Sequence, residues 1–162
     1  MNEPGAPDPK NEARSEALPG LRLLAEDADD LQIISAALQD AVAKVGDIHW
    51  EQRGRILTIE FNRFRWEAGG KPERVRTGLQ LGGVMAVKAR RLRRDVKGAV
   101  VELLALDFLP GDAPGGVIWF EFAGGGDLRA EVECIDAVMA DLSRPWPARK
   151  QPNHGPVSGS GG

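Results

Sequence analysis

The chain of 162 residues holds one cysteine, Cys134, two histidines, His49 and His154, and no tyrosine. One thiol cannot form an internal disulfide, so the fold must rest on its core, and a reducing compartment is the natural setting. Two imidazoles and one thiol offer no HExxH or CxxC spacing, which excludes zinc or iron chemistry built on those ligands. No serine sits in a Gly-x-Ser-x-Gly elbow. Neither Gly69-Gly70 nor Gly124-Gly125-Gly126 has the spacing of a phosphate loop, and both are expected as tight turns. No apolar run is long enough to span a bilayer, and the residues after Met1 form no signal-like segment. The expectation is a cytoplasmic protein without metal, cofactor or recognisable catalytic residue.

What the sequence does contain is alternation. Ile118, Phe120 and Phe122 alternate with Trp119, Glu121 and Ala123. Beyond the glycine turn, Leu128, Ala130, Val132 and Cys134 alternate with Arg129, Glu131 and Glu133. This is a hairpin with one buried face, and it places Cys134 inward as a small hydrophobe. Ile135, Val138, Met139 and Leu142 then recur at i, i+3, i+4 and i+7, which predicts a C-terminal helix ending near Ser143, before Pro145 and Pro147. Upstream, Asp27 can cap a helix running to Gln39, with Asp29 and Asp30 in its positive first turn and Leu31, Ile34, Leu38 and Ala41 inward. Capping accounts for the acidic cluster Glu26, Asp27, Asp29 and Asp30 without a bound cation.

Between the two helices the pattern is one of strands. Residues 42–52 and 55–67 pair about Arg53-Gly54, further strands precede and follow Gly82-Gly83, and Ala99 to Leu109 is too apolar for strict alternation. Such a strand is central or carries a bulge. The implied class is α+β and β-rich: about seven antiparallel strands in a meander, forming a pleckstrin-homology-like roll or split barrel with an N-terminal helix and a C-terminal capping helix. Residues 1–20 and 149–162 are polar and rich in Pro, Gly or Ser, so they are expected as tails on a single globular domain over 21–148.

Formal net charge is −3, but it is unevenly spread. Lys88, Arg90, Arg91, Arg93, Arg94 and Lys97 set against Asp95 give +5 within ten residues. Lys88 and Arg90 share a strand face, and Arg91, Arg93 and Arg94 lie at or beyond its end, where they could reach carboxylate or phosphate groups. Lys88, Arg90, Arg91, Arg93 and Arg94 are therefore the candidate binding residues. The competing reading is a solvated hairpin end paired with nearby carboxylates. Sparse aromatic residues in core-like positions disfavour nucleic acid.

The segments LRLLAEDADDLQIISAALQDAVAKVGDIHW, FNRFRWE and FEFAGGGDLRAEVECIDAVMADL resemble a bacterial family of small uncharacterised proteins, domain-of-unknown-function family 2948. The resemblance runs from about Leu21 to His154. It implies a bacterial cytoplasmic protein and carries over no site residues. Three functions follow as expectations. The first is a noncatalytic binding or scaffolding module offering a sheet edge, barrel mouth or basic loop to a protein partner. The second is a small-molecule-binding protein or enzyme with a pocket between helix and sheet. The third is anion or nucleic-acid binding through residues 88–97. Oligomeric state is left open.

Overall fold

A computed structural model describes residues 20–68, 70 and 72–148. The expected tails, and His154 with them, lie almost wholly outside that range. Eleven strands and one α-helix are present among the described residues. In chain order they are β1 (Arg22–Ala25), α1 (Ala28–Ala37), β2 (Val42–Lys44), β3 (Ile48–Glu51), β4 (Ile56–Phe64), β5 (Glu73–Leu81) and β6 (Val84–Arg90), then β7 (Val100–Pro110), β8 (Gly116–Phe122), β9 (Asp127–Val132), β10 (Ala137–Asp141) and β11 (Trp146–Pro147). The segment read as one strand over 42–52 is broken by a 3₁₀ turn at Val45–Asp47. A second such turn, Trp66–Ala68, follows β4.

Every pairing is antiparallel, in the order β1-β10-β5-β4-β2-β7-β8-β9-β6, with β3 added to β4 and β11 to β5. The sheet is open and bends into two facing halves that share one core. β7 belongs to both halves: Val100–Glu102 pair with β2, whereas Leu103–Pro110 pair with β8, with an irregularity between Leu103 and Ala105. The strand whose alternation failed in the sequence is thus both central and bulged. Gly82 and Gly83, the latter at φ +65°, carry the chain from β5 in one half to β6 in the other. Gly124 and Gly125 also take positive φ and close the β8–β9 hairpin, as expected of a glycine turn.

α1 forms where its cap and stripe predict. The Asp27 carboxylate accepts the Asp30 amide at 2.7 Å, and Leu31, Ile34 and Leu38 are fully buried. The helix and the turn after it also cover the edge of β7 that β2 leaves free. Ser35 Oγ accepts the Leu106 amide at 2.9 Å, Gln32 Nε2 donates to the Leu106 carbonyl, and Leu103 bonds through its amide to Ala41 and through its carbonyl to Asp40. An uncovered edge is a template for pairing, and here side chains occupy it. Ser35→Ala orphans the buried Leu106 amide, so chemical denaturation should show a loss of about 1–3 kcal/mol. An unchanged midpoint would mean that water reaches that amide.

The C-terminal helix is not formed. The residues after Ile135 build β10, which lies between β1 and β5, with Met139 opposite Leu23 on one side and Leu79 on the other. Ala137 and Met139 are buried while Val138 and Ala140 are only partly so, a period of two. A stripe of eight residues is too short to hold a helix by itself, and two waiting ladders satisfy its backbone instead. α1, packed on β7 and β1, provides the helical cover expected from the C-terminal end.

Cys134 is likewise displaced from its expected place. β9 ends at Val132, the Glu133 amide turns to the Gly83 carbonyl, and the thiol is exposed. The alternation that included it stops two residues earlier, where the chain leaves the ladder.

Candidate functional site

β3 and β6 border the open side of the sheet. Among the described residues β3 pairs only with β4, and β6 only with β9. Alternation turns Ile48 and Trp50 of β3, and Val87 and Ala89 of β6, toward the core without fully burying them. Between the two strands lies a cleft of about 390 Å³, walled by these four side chains and by Val45, Gly46, His49 and Leu92, with Arg94 and Lys97 on its rim. One end is tied by Gly46 N donating to Lys97 O at 2.9 Å and Val45 N donating to Ala99 O at 2.8 Å, the other by Val84 N donating to Arg55 O at 2.8 Å. Gly46 allows a close approach there, since a Cβ would stand 3.0 Å from both Cβ and O of Lys97.

The electrostatics of the cleft are one-sided. No carboxylate lines it, and neighbouring Asp47 is held by Arg76, which also binds Glu60. Arg94 and Lys97 make no ion pair among the described residues. The Trp50 indole N–H is buried and has no hydrogen-bond partner among the described residues. His49 is exposed, with neither a carboxylate nor a nucleophile beside it in the lining. Among the described residues no three His, Cys, Asp or Glu side chains converge on a metal position. This arrangement can bind an apolar group with negative charge at one end, and it presents no acid–base pair.

The basic run is divided by the fold rather than gathered by it. Lys88 and Arg90 do share the outward face of β6, where Lys88 approaches Glu131 at 3.6 Å and Arg90 bonds Asp127 at 3.1 Å. Arg91, at φ +54°, turns the chain. With Arg93 it borders a smaller cavity of about 160 Å³ beside Gly124 and Gly126. Only Arg94 of the five predicted residues reaches the cleft, joined by Lys97. Ile48, His49, Trp50, Val87 and Ala89 were not legible as a site. Their alternation marks two strands, but nothing local shows that those strands face each other.

A second polar cluster is saturated by its own members. The Arg63 side chain is wholly buried; its Nε and Nη2 grip Asp141 at 2.9 and 2.7 Å, and Nη1 and Nη2 grip Glu67 at 2.9 and 2.7 Å. Nη1 also donates to the Phe64 carbonyl, so all five donors of the guanidinium are used. Asp141 further accepts Thr77 Oγ1 at 2.7 Å and the Leu21 amide at 2.8 Å. Burial disfavours charge on Asp141, but the bonds from Arg63, Thr77 and Leu21 outweigh it and hold the carboxyl below its ordinary value. The bonds from Arg63 lower Glu67 in the same way, against a smaller effect of burial. With no guanidinium donor left for a ligand, this cluster joins β4, β5, β10 and Leu21 before β1 and is structural.

Residues 21–154 match the family model described as protein of unknown function (DUF2948). The chain belongs to this family. No curated protein and no solved structure matches it. The DUF2948 match begins at Leu21, whose amide is bound by Asp141, and it takes in every strand described above as well as both walls of the cleft. None of the helices described is long and apolar enough to cross a membrane.

Proposed function

We propose that this DUF2948 protein is a noncatalytic binding module of the bacterial cytoplasm that engages another protein at the cleft between β3 and β6. The observation that carries this reading is the pair of unpaired strand edges flanking one apolar cleft, with uncompensated cations at its rim. It takes the two sheet halves as a roll of the pleckstrin-homology-like or split-barrel kind whose open side is the cleft, with α1 as the covering helix. Replacing His49 with a photo-crosslinking amino acid in the native cell tests it. The expected result is a covalent adduct with one protein that disappears when Arg94→Glu and Lys97→Glu are combined. Absence of any protein adduct overturns it.

A second reading has its own support. A volume of about 390 Å³ falls within the range of roughly 300–1,000 Å³ typical of small-molecule sites, and apolar side chains of Ile48, Trp50, Val87 and Leu92 line it. Native mass spectrometry of the protein as purified would then show a bound small molecule that Ala89→Trp displaces.

A further inference from the structure

We infer that the occupant of the cleft is an extended, acidic segment of the partner protein that enters as an added strand alongside β6. This rests on the binding-module reading above and specifies its chemistry.

The treatment of β7, β5 and β4 supports it, while β1, which also pairs on one side only, lies outside the lining of the cleft. β7 has its free edge covered by Ser35 and Gln32, and β5 shares one side between β10 and β11. β4 likewise shares one side between β2 and β3. Among the described residues, only Val84 of β6 makes a backbone bond on the side away from β9, to Arg55. The remainder of a seven-residue strand, about 20 Å at roughly 3.3 Å per residue, therefore offers unpaired amides and carbonyls to the cleft. Such a row binds extended backbone directly, and the apolar side chains beneath it select the sequence.

Side-chain spacing agrees with backbone supply. Val87 and Ala89 on one wall, and Ile48 and Trp50 on the other, recur every second residue, the period at which a strand delivers side chains to one face. A helix presents side chains to one face every third or fourth residue, which does not match this spacing. Charge sets the remaining requirement. Arg94 and Lys97 stand at one end with no carboxylate in the lining, so a segment bearing Asp or Glu at that end is favoured over a neutral or basic one.

The test uses the full chain and a displayed library of random twelve-residue peptides. The expected enrichment is for peptides with apolar residues at every second position and at least two acidic residues toward one end. N-methylation along a selected peptide should lower affinity at least tenfold at alternate positions and little at those between. Combined Arg94→Glu and Lys97→Glu, which leave the core untouched, should weaken the same peptide at least tenfold with an unchanged melting temperature. No enrichment, helical spacing of the apolar residues, or a flat N-methyl scan overturns strand addition. Sedimentation showing a dimer that Arg94→Glu and Lys97→Glu dissolve assigns the cleft to a second copy of this chain and also overturns it. A protein adduct at position 49 together with a flat scan leaves the binding module standing and removes only the added strand; no adduct and no peptide removes both.

Discussion

Asp141→Ala is expected to cost about 3–5 kcal/mol of folding stability, because it leaves the Arg63 guanidinium buried without its main partner. Thr77 and the Leu21 amide lose their acceptor in the same step, so one of the two bonds between Leu21 and Asp141 is lost as well. Against a total of about 5–15 kcal/mol for a natural domain this is a large fraction, and thermal unfolding should fall by on the order of 10 °C or more. Glu67→Gln is the internal control. Glu67 is about two-fifths exposed, and its loss leaves Arg63 paired with Asp141, so the cost should stay near 1 kcal/mol or below. Equal melting temperatures for the wild type and Asp141→Ala would show that the Arg63 cluster contributes nothing net.

The same cluster sets the acid limb of stability. Asp141 and Glu67 both ionise more readily in the folded chain than in the unfolded one. Their contribution is complete above the ordinary carboxyl range of about 3.9–4.3 and is lost as pH falls from there through the lowered folded values. Urea midpoints measured from pH 6 downward should therefore drop for the wild type below about pH 4 and drop less steeply for Asp141→Ala. Parallel curves would count against this origin of the acid sensitivity.

Met139→Ala is expected to cost about 2–5 kcal/mol, whereas its neighbour Val138→Thr should cost about 1 kcal/mol or less. Met139 is fully buried in β10 and Val138 is only partly covered on the other face. The contrast distinguishes strand from helix, since a helical stripe would turn both residues inward. Similar large losses at both positions, read from denaturant unfolding, would contradict the strand.

Much of the fold is readable without coordinates, and the failures share a cause. Asp27 with its acidic first turn marks α1, and the alternation around Gly124–Gly126 marks β8 and β9, because both signals are complete within about fifteen residues. Val138 and Met139 fit either period, and only the ladders offered by β1 and β5 decide between them. Cys134 was misplaced because alternation does not announce where a ladder stops. Arg94 was found as one of a run of cations, yet nothing in that run separates it from Lys88 and Arg90, which Glu131 and Asp127 occupy from β9.

By its sequence alone this protein is determined to be β-rich and antiparallel, with an N-terminal helix that starts at an Asp27 cap, free of Cys/His metal spacings and locally basic over residues 88–97, since each property lies in neighbouring residues. Tertiary structure alone decides that β10 is a strand, that Arg63 and Asp141 meet across 78 positions of chain, and that β3 and β6 border one cleft. The physical reason is the same throughout. Periodicity reports which face of a segment is apolar, whereas the partner that covers that face, or leaves it open, comes from distant parts of the chain.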